Sequence, residues 1–246
     1  MQRKSFLKSL MLGTAAAPAL LAACGKATEV TPATATATAE ADLQAATKAG
    51  ASSGCSVMPT ETEGPFPTHT PASYVRADIT DGRTGYVLTV NITVVSASGS
   101  CSAVSGALVD IWHCDREGNY SEYGGTGMQS TNYTSVHFLR GRQVTSSAGV
   151  VKFTTIFPGW YSGRATHIHV HVYSATGQSL LVTQISFPEG TGSAVAAVNG
   201  YAKGMSGYTY NAADNVFSDD STNSEVAVVT GSTSAGFVLN KKITVR

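Results

Sequence analysis

Hydrophobic and polar residues alternate in short runs along the body of this chain. From Tyr86 to Val95, Leu88, Val90, Ile92 and Val94 fall on one side of an extended backbone, and Val87, Thr89, Asn91 and Thr93 on the other. That period of two marks a strand with one buried face. Ala107 to His113 is a second such run, and Val150 to Ile156 a third, preceded by the turn-like Ser146-Ser-Ala-Gly149. Pro158-Gly159 breaks the chain ahead of an extended stretch over Thr166 to His171. Ser179 to Phe187, Glu225 to Thr230 and Gly236 to Val245 complete the set. Between Pro188 and Ser224 the chain is polar and rich in Gly and Asn, with no strand period, and reads as loop with short helical turns. Many short strands joined by Gly-rich turns predict an all-β fold, an antiparallel β-sandwich core with long loops.

The first 54 residues do not share this pattern. Arg3, Lys4 and Lys8 precede an apolar run from Leu10 to Ala23 that is too short to span a bilayer, as in an export signal. The run ends in Leu21-Ala22-Ala23-Cys24, which resembles a bacterial lipoprotein signal, so residues 1–24 are expected to be a signal peptide with Cys24 lipidated. Gln2 to Lys8 is also similar to a twin-arginine signal, but Lys4 stands at the second arginine position, and the export route stays open. With Gly25 rather than Asp after the cysteine, the resemblance to lipoproteins implies the outer membrane or cell surface. Residues 25–54 are rich in Ala and Thr, with no aromatic residue, and are expected to form a disordered tether. Residues 55–246 then form the folded domain.

Net charge is zero, which offers nothing to nucleic acid. Cys55, Cys101 and Cys114 lie in the body, and in an oxidising compartment one disulfide is expected with one thiol left over. Cys101 and Cys114 flank one predicted strand and are held apart by it, which favours a bridge involving Cys55.

The chemistry concentrates in Thr166-His-Ile-His-Val-His171, which holds three of the chain's six histidines. In a strand His167, His169 and His171 share one face, with neighbouring imidazoles about 7 Å apart. Two of them can close on one metal ion. Around this stretch lie Phe157-Pro-Gly-Trp-Tyr161-Ser-Gly-Arg164 and, upstream, Val109-Asp-Ile-Trp112-His-Cys-Asp-Arg-Glu-Gly-Asn-Tyr120. Together they resemble the intradiol ring-cleavage dioxygenases, of the protocatechuate 3,4-dioxygenase and catechol 1,2-dioxygenase type, and especially their exported members. Thr62-Glu-Gly-Pro-Phe66 is similar to the family's N-terminal signature, and Phe138-Leu-Arg-Gly-Arg142 to the segment leading into its central strand.

The resemblance implies a mononuclear Fe(III) held by Tyr120, Tyr161, His167 and His169. It also implies catalytic roles for Arg164, Gln184 and Tyr120, the last being the axial ligand released when substrate binds. Such a site suits ferric iron, a hard ion that favours anionic phenolate oxygen. The implied reaction opens a catecholic ring between its two hydroxyl-bearing carbons, with O2 as co-substrate, to a muconate-type dicarboxylate. Only Ser162 and Gly163 separate Tyr161 from Arg164, whereas protocatechuate dioxygenases carry a longer aromatic insertion there, so a more open mouth is expected. His171 is expected on the ligand face but out of reach, and Asp110 and His113 to support the structure around the site. Two other readings compete. One is a catalytically inactive metal- or aromatic-binding sandwich at the cell surface. The other is a Cu/Zn superoxide dismutase-like sandwich, which needs more histidines and no phenolates.

Overall fold

A computed structural model describes residues 55–246; the expected signal peptide and tether lie outside the described residues. In chain order the strands are β1 (Val87–Ser96), β2 (Ser102–Ala103), β3 (Leu108–Trp112), β4 (Arg140–Val144), β5 (Val150–Ile156), β6 (His167–Tyr173), β7 (Ser179–Ser186), β8 (Val228–Ser232) and β9 (Gly236–Val245). Among the described residues there is one short helix, α1 (Ala194–Val198), and several single 3-10 turns lie between or before the strands. One sheet has the order β2-β1-β9-β8, with β5 also paired to β1; the other has the order β4-β3-β6-β7.

The alternation that predicts the strands also builds the core. Leu88, Val90, Ile92 and Val94 of β1 and Leu239 and Ile243 of β9 belong to the same buried cluster as Val109 and Ile111 of β3 and Ile168, Val170 and Val172 of β6. Burying a side chain of this size is worth roughly 1.5–3 kcal/mol, so this shared face fixes strand register. The fold is the all-β sandwich expected.

Three details differ from the sequence expectation. The pair β1 and β9 is parallel over Leu88 to Ser96, although every other ladder is antiparallel. These are the first and last strands, and no hairpin turn ties their directions together. The strand β4 is unexpected, because Arg-Gly-Arg-Gln-Val shows no apolar alternation; it is held by Arg142, which makes a two-pronged ion pair with Asp110 of β3 at 2.5 and 2.7 Å. The run expected from Glu225 begins as a strand only at Val228. Cys55 is bridged to Cys101, and Cys114 is the buried free thiol.

Candidate metal centre

Strand β6 is buried on both faces. Its isoleucine and valines enter the core, and its histidine face is covered by chain from elsewhere. Trp112 of β3 stands opposite His169 in the ladder and stacks on it, with ring centroids 4.9 Å apart and planes 3° from parallel. On β7 the residue opposite His169 is Gln184.

Tyr120 and Tyr161 reach this face from two turns that pack back to back. In the first, the Asp115 side chain accepts from the amides of Glu117 and Asn119, which curls the chain at Gly118. Gly118 has φ +93°, and a Cβ there would meet the Trp160 carbonyl at 2.3 Å. In the second, the amide of Gly159 donates to the Asp115 carbonyl, so only glycine backbone fits between the turns.

Three donor atoms converge. Tyr120 Oη lies 3.2 Å from His167 Nε2 and 3.3 Å from His169 Nε2, and the two nitrogens are 3.0 Å apart. His167 donates from Nδ1 to the Ala165 carbonyl at 2.6 Å, which leaves the lone pair of its Nε2 facing this point. Tyr120, His167 and His169 are at most 2% exposed. Donors sharing one cation through bonds of roughly 2.1 Å at right angles stand about 3 Å apart, which is the spacing observed. Tyr161 joins from the side, its ring centroid 5.7 Å from that of His167 and 5.8 Å from that of Tyr120. Among the described residues no group of three or more His, Cys, Asp and Glu side chains is placed to hold a metal, and the third corner of this triangle is the Tyr120 oxygen.

Burial governs the protonation of this cluster. It pushes His167 down to about 3, helped by the charge of Arg164, and His169 well below the usual imidazole range, helped by His167. Burial likewise raises Tyr120 well above the ordinary phenol range, and raises Tyr161. Two neutral imidazoles and two phenols so disposed suit a cation whose charge displaces the phenolic protons.

Arg164 is nearly buried beside them. Its Nε donates to Asp214 at 2.9 Å, its Nη2 to Gln184 Oε1 at 2.7 Å, and its Nη1 points to Tyr161 Oη at 3.5 Å. His171 stays outside the cluster, with Nδ1 3.0 Å from Glu63 and Nε2 2.8 Å from Ser179. His113 is buried against Thr155 and the Cys114 carbonyl. Ser162 and Gly163 are exposed, leaving the edge beside Tyr161 uncovered.

Four neighbours were not foreseen. Asp214 is fully buried and also accepts from the Ala165 amide at 2.6 Å. Phe217 lies under Arg164 and beside His167. Phe66 stacks on Tyr120 at 4.6 Å, and Gly64 abuts His169. Asp214 and Phe217 come from the stretch without a period, where only tertiary contact reveals a role.

A family model described as Dioxygenase matches residues 63–198, more than half of the chain. Chlorocatechol 1,2-dioxygenase of Rhodococcus opacus is 30% identical over 107 residues, 36% of this chain and 39% of that protein. The chain therefore spans well under half the length of that curated relative. An intradiol ring-cleavage dioxygenase from Tetranychus urticae superposes with a TM-score of 0.68 at 29% identity, covering 78% of this chain and 95% of that one. The dioxygenase domain of a dioxygenase carbohydrate-binding protein fusion from Streptomyces sp. SirexAA-E superposes with a TM-score of 0.54 at 25% identity, covering 77% and 97%.

Proposed function

Because the chain belongs to the intradiol ring-cleavage dioxygenase family, we propose that it is a non-haem Fe(III) dioxygenase. Its substrates are a catecholic compound and O2, and it cuts the ring between the two hydroxyl-bearing carbons to give a muconate-type dicarboxylate. Tyr120, Tyr161, His167 and His169 would hold the iron. The observation that carries this reading is the triangle of Tyr120 Oη, His167 Nε2 and His169 Nε2, with sides of 3.0–3.3 Å.

Bound ferric iron supplies Lewis acidity, which draws electron density from a catecholate so that the ring reacts with dioxygen. The protein's own groups do the rest. With its own proton displaced by the bound iron, Tyr120 would take a proton at Oη from one catechol hydroxyl. The Arg164 guanidinium stays charged, is fixed by Asp214 and Gln184, and stabilises negative charge that develops on the ring. Phe66, Trp112 and Phe217 pack apolar rings against Tyr120, His169 and His167.

The Leu21-Ala-Ala-Cys24 motif supports a lipid-anchored enzyme at the cell envelope, and the Cys55–Cys101 bridge agrees with an oxidising compartment. Iron-loaded protein is expected to absorb in the visible through phenolate-to-iron charge transfer. It should also consume O2 with at least one of catechol, protocatechuate, hydroxyquinol and larger catechols. Protein that binds iron but consumes no O2 with any of them would instead be a binding module.

A further inference from the structure

We propose that Glu63 and His171 are positioning residues, whose contact seats the segment Thr62–Phe66 across the metal centre and thereby orients Gln184 and Arg164. The kinetic part of this inference rests on the dioxygenase reading; the structural part does not.

The third histidine of the β6 run has a partner that the ligand set leaves unexplained. His171 Nδ1 lies 3.0 Å from Glu63 Oε1 and 2.8 Å from the Tyr173 hydroxyl, while the Ser179 hydroxyl lies 2.8 Å from its Nε2 and the Tyr173 ring stacks on its own at 3.9 Å. His171 is thus held by Ser179 and Tyr173 as well as Glu63, and Glu63 is the more exposed member of the pair. The next residues on either side of Glu63 touch the site. The Thr62 carbonyl accepts from Gln184 Nε2 at 2.9 Å. An amide has its oxygen and nitrogen on opposite arms, so this bond turns Gln184 Oε1 toward Arg164 Nη2, 2.7 Å away. Gly64, at φ +70°, lies so close that a Cβ there would stand 3.0 Å from His169 Cε1.

The two ends of the segment are secured independently. Upstream, the Glu61 amide donates to the Val182 carbonyl of β7 at 2.9 Å. Downstream, Phe66 stacks on Tyr120 and its carbonyl accepts from buried Arg140 at 3.0 Å. Between these anchors Glu63 fixes the backbone at the height of His169. The Glu63 side chain is nearly half exposed, 46%, so the pair adds little to folding stability. Its loss should register in the site and not in the fold.

The test uses the full-length chain, iron-loaded and iron-free, with E63A, H171A and E63Q. In E63A and H171A, hydrogen exchange over residues 61–66 is expected to speed up in both forms at unchanged iron content. The visible charge-transfer band is expected to shift, and kcat on the best catechol to fall about tenfold with a smaller change in KM. E63Q, which still accepts from His171 Nδ1, is expected to restore wild-type behaviour. Wild-type exchange over 61–66 in E63A, or an E63Q as impaired as E63A, would overturn the proposal. Should wild-type protein turn over no catechol, the exchange measurement still decides the role of Glu63 while the dioxygenase reading falls. Should H171A not fold, E63A against E63Q decides alone.

Discussion

Arg164 and Gln184 meet at 2.7 Å across the β6 and β7 edge of the site, the guanidinium donating to the side-chain oxygen of the amide. Gln184 stands directly opposite His169 in the ladder, so the strand register that sets the histidine face also sets the position of the arginine. A hydrogen bond to a charged group is worth about 1.5–3 kcal/mol. If it is made more strongly as charge develops on the ring, Gln184→Ala lowers kcat by about tenfold or more. Iron content should stay near wild type, because Gln184 offers nothing to the metal. Steady-state O2 uptake beside an iron assay checks this.

Asp214 answers the charge of Arg164 from a fully buried position, and the same Oδ2 also accepts from the Ala165 amide. Asp214→Asn leaves a nearly buried guanidinium without its counter-ion. Breaking a buried pair in this way costs about 3–5 kcal/mol. Arg164→Met in the same background should recover part of the loss, since it removes the stranded charge. Urea midpoints of the two single variants and the double variant give the coupling.

Much of the sandwich is legible in the alternation of the chain, because Leu88, Val90 and Ile92, like Ile168, Val170 and Val172, can only be buried on one face of a strand. The four residues expected as ligands are named through a resemblance, and of these Tyr120, His167 and His169 bring donor atoms to one point. What stays hidden depends on contacts between distant segments. Asp214 is one polar residue among many in a loop until Arg164 stands 2.9 Å away. Nothing in the run Arg140-Gly-Arg142 signals burial, yet Arg140 is fully buried, with Ser121 and Phe66 taking its donors. The parallel pairing of β1 and β9 has no local signal, because it joins the two ends of the domain.

The Cys55–Cys101 bridge closes a loop of 46 residues. In the chain-entropy account such a loop is worth about 4 kcal/mol. Cys55→Ser with Cys101→Ser is therefore expected to lower the unfolding free energy, read from denaturant titration, by that order. Turnover at low temperature should survive, since neither residue touches the site. Cys114, buried and with its thiol pushed upward by that burial, should stay unreactive to thiol reagents in the native protein.

His113 is buried between Thr155 and the Cys114 carbonyl, and burial holds it down to about 4 against 6.5. The unfolded chain binds this proton more readily than the folded one. The contribution is therefore complete above pH 6.5 and is lost as pH falls toward 4, to the extent of about 3 kcal/mol. His113→Gln should flatten that part of the stability profile, read as the difference in thermal midpoint between variant and wild type across pH 4–7.

Glu225 has the opposite sign. Both of its carboxylate oxygens are buried without a hydrogen-bond partner, while nearby Lys241 donates to the carbonyls of Ser224 and Val226 on either side. Burial first, then Glu61 and Asp220, push it up to about 8 from 4.5. The folded state keeps this proton where the unfolded chain releases it, so the contribution is complete below pH 4.5 and is lost as pH rises through 8. Glu225→Gln is uncharged at every pH and avoids that loss. Its thermal midpoint relative to wild type should climb steadily between pH 4.5 and 8, and a difference that stayed level would mean Glu225 carries its charge at little cost.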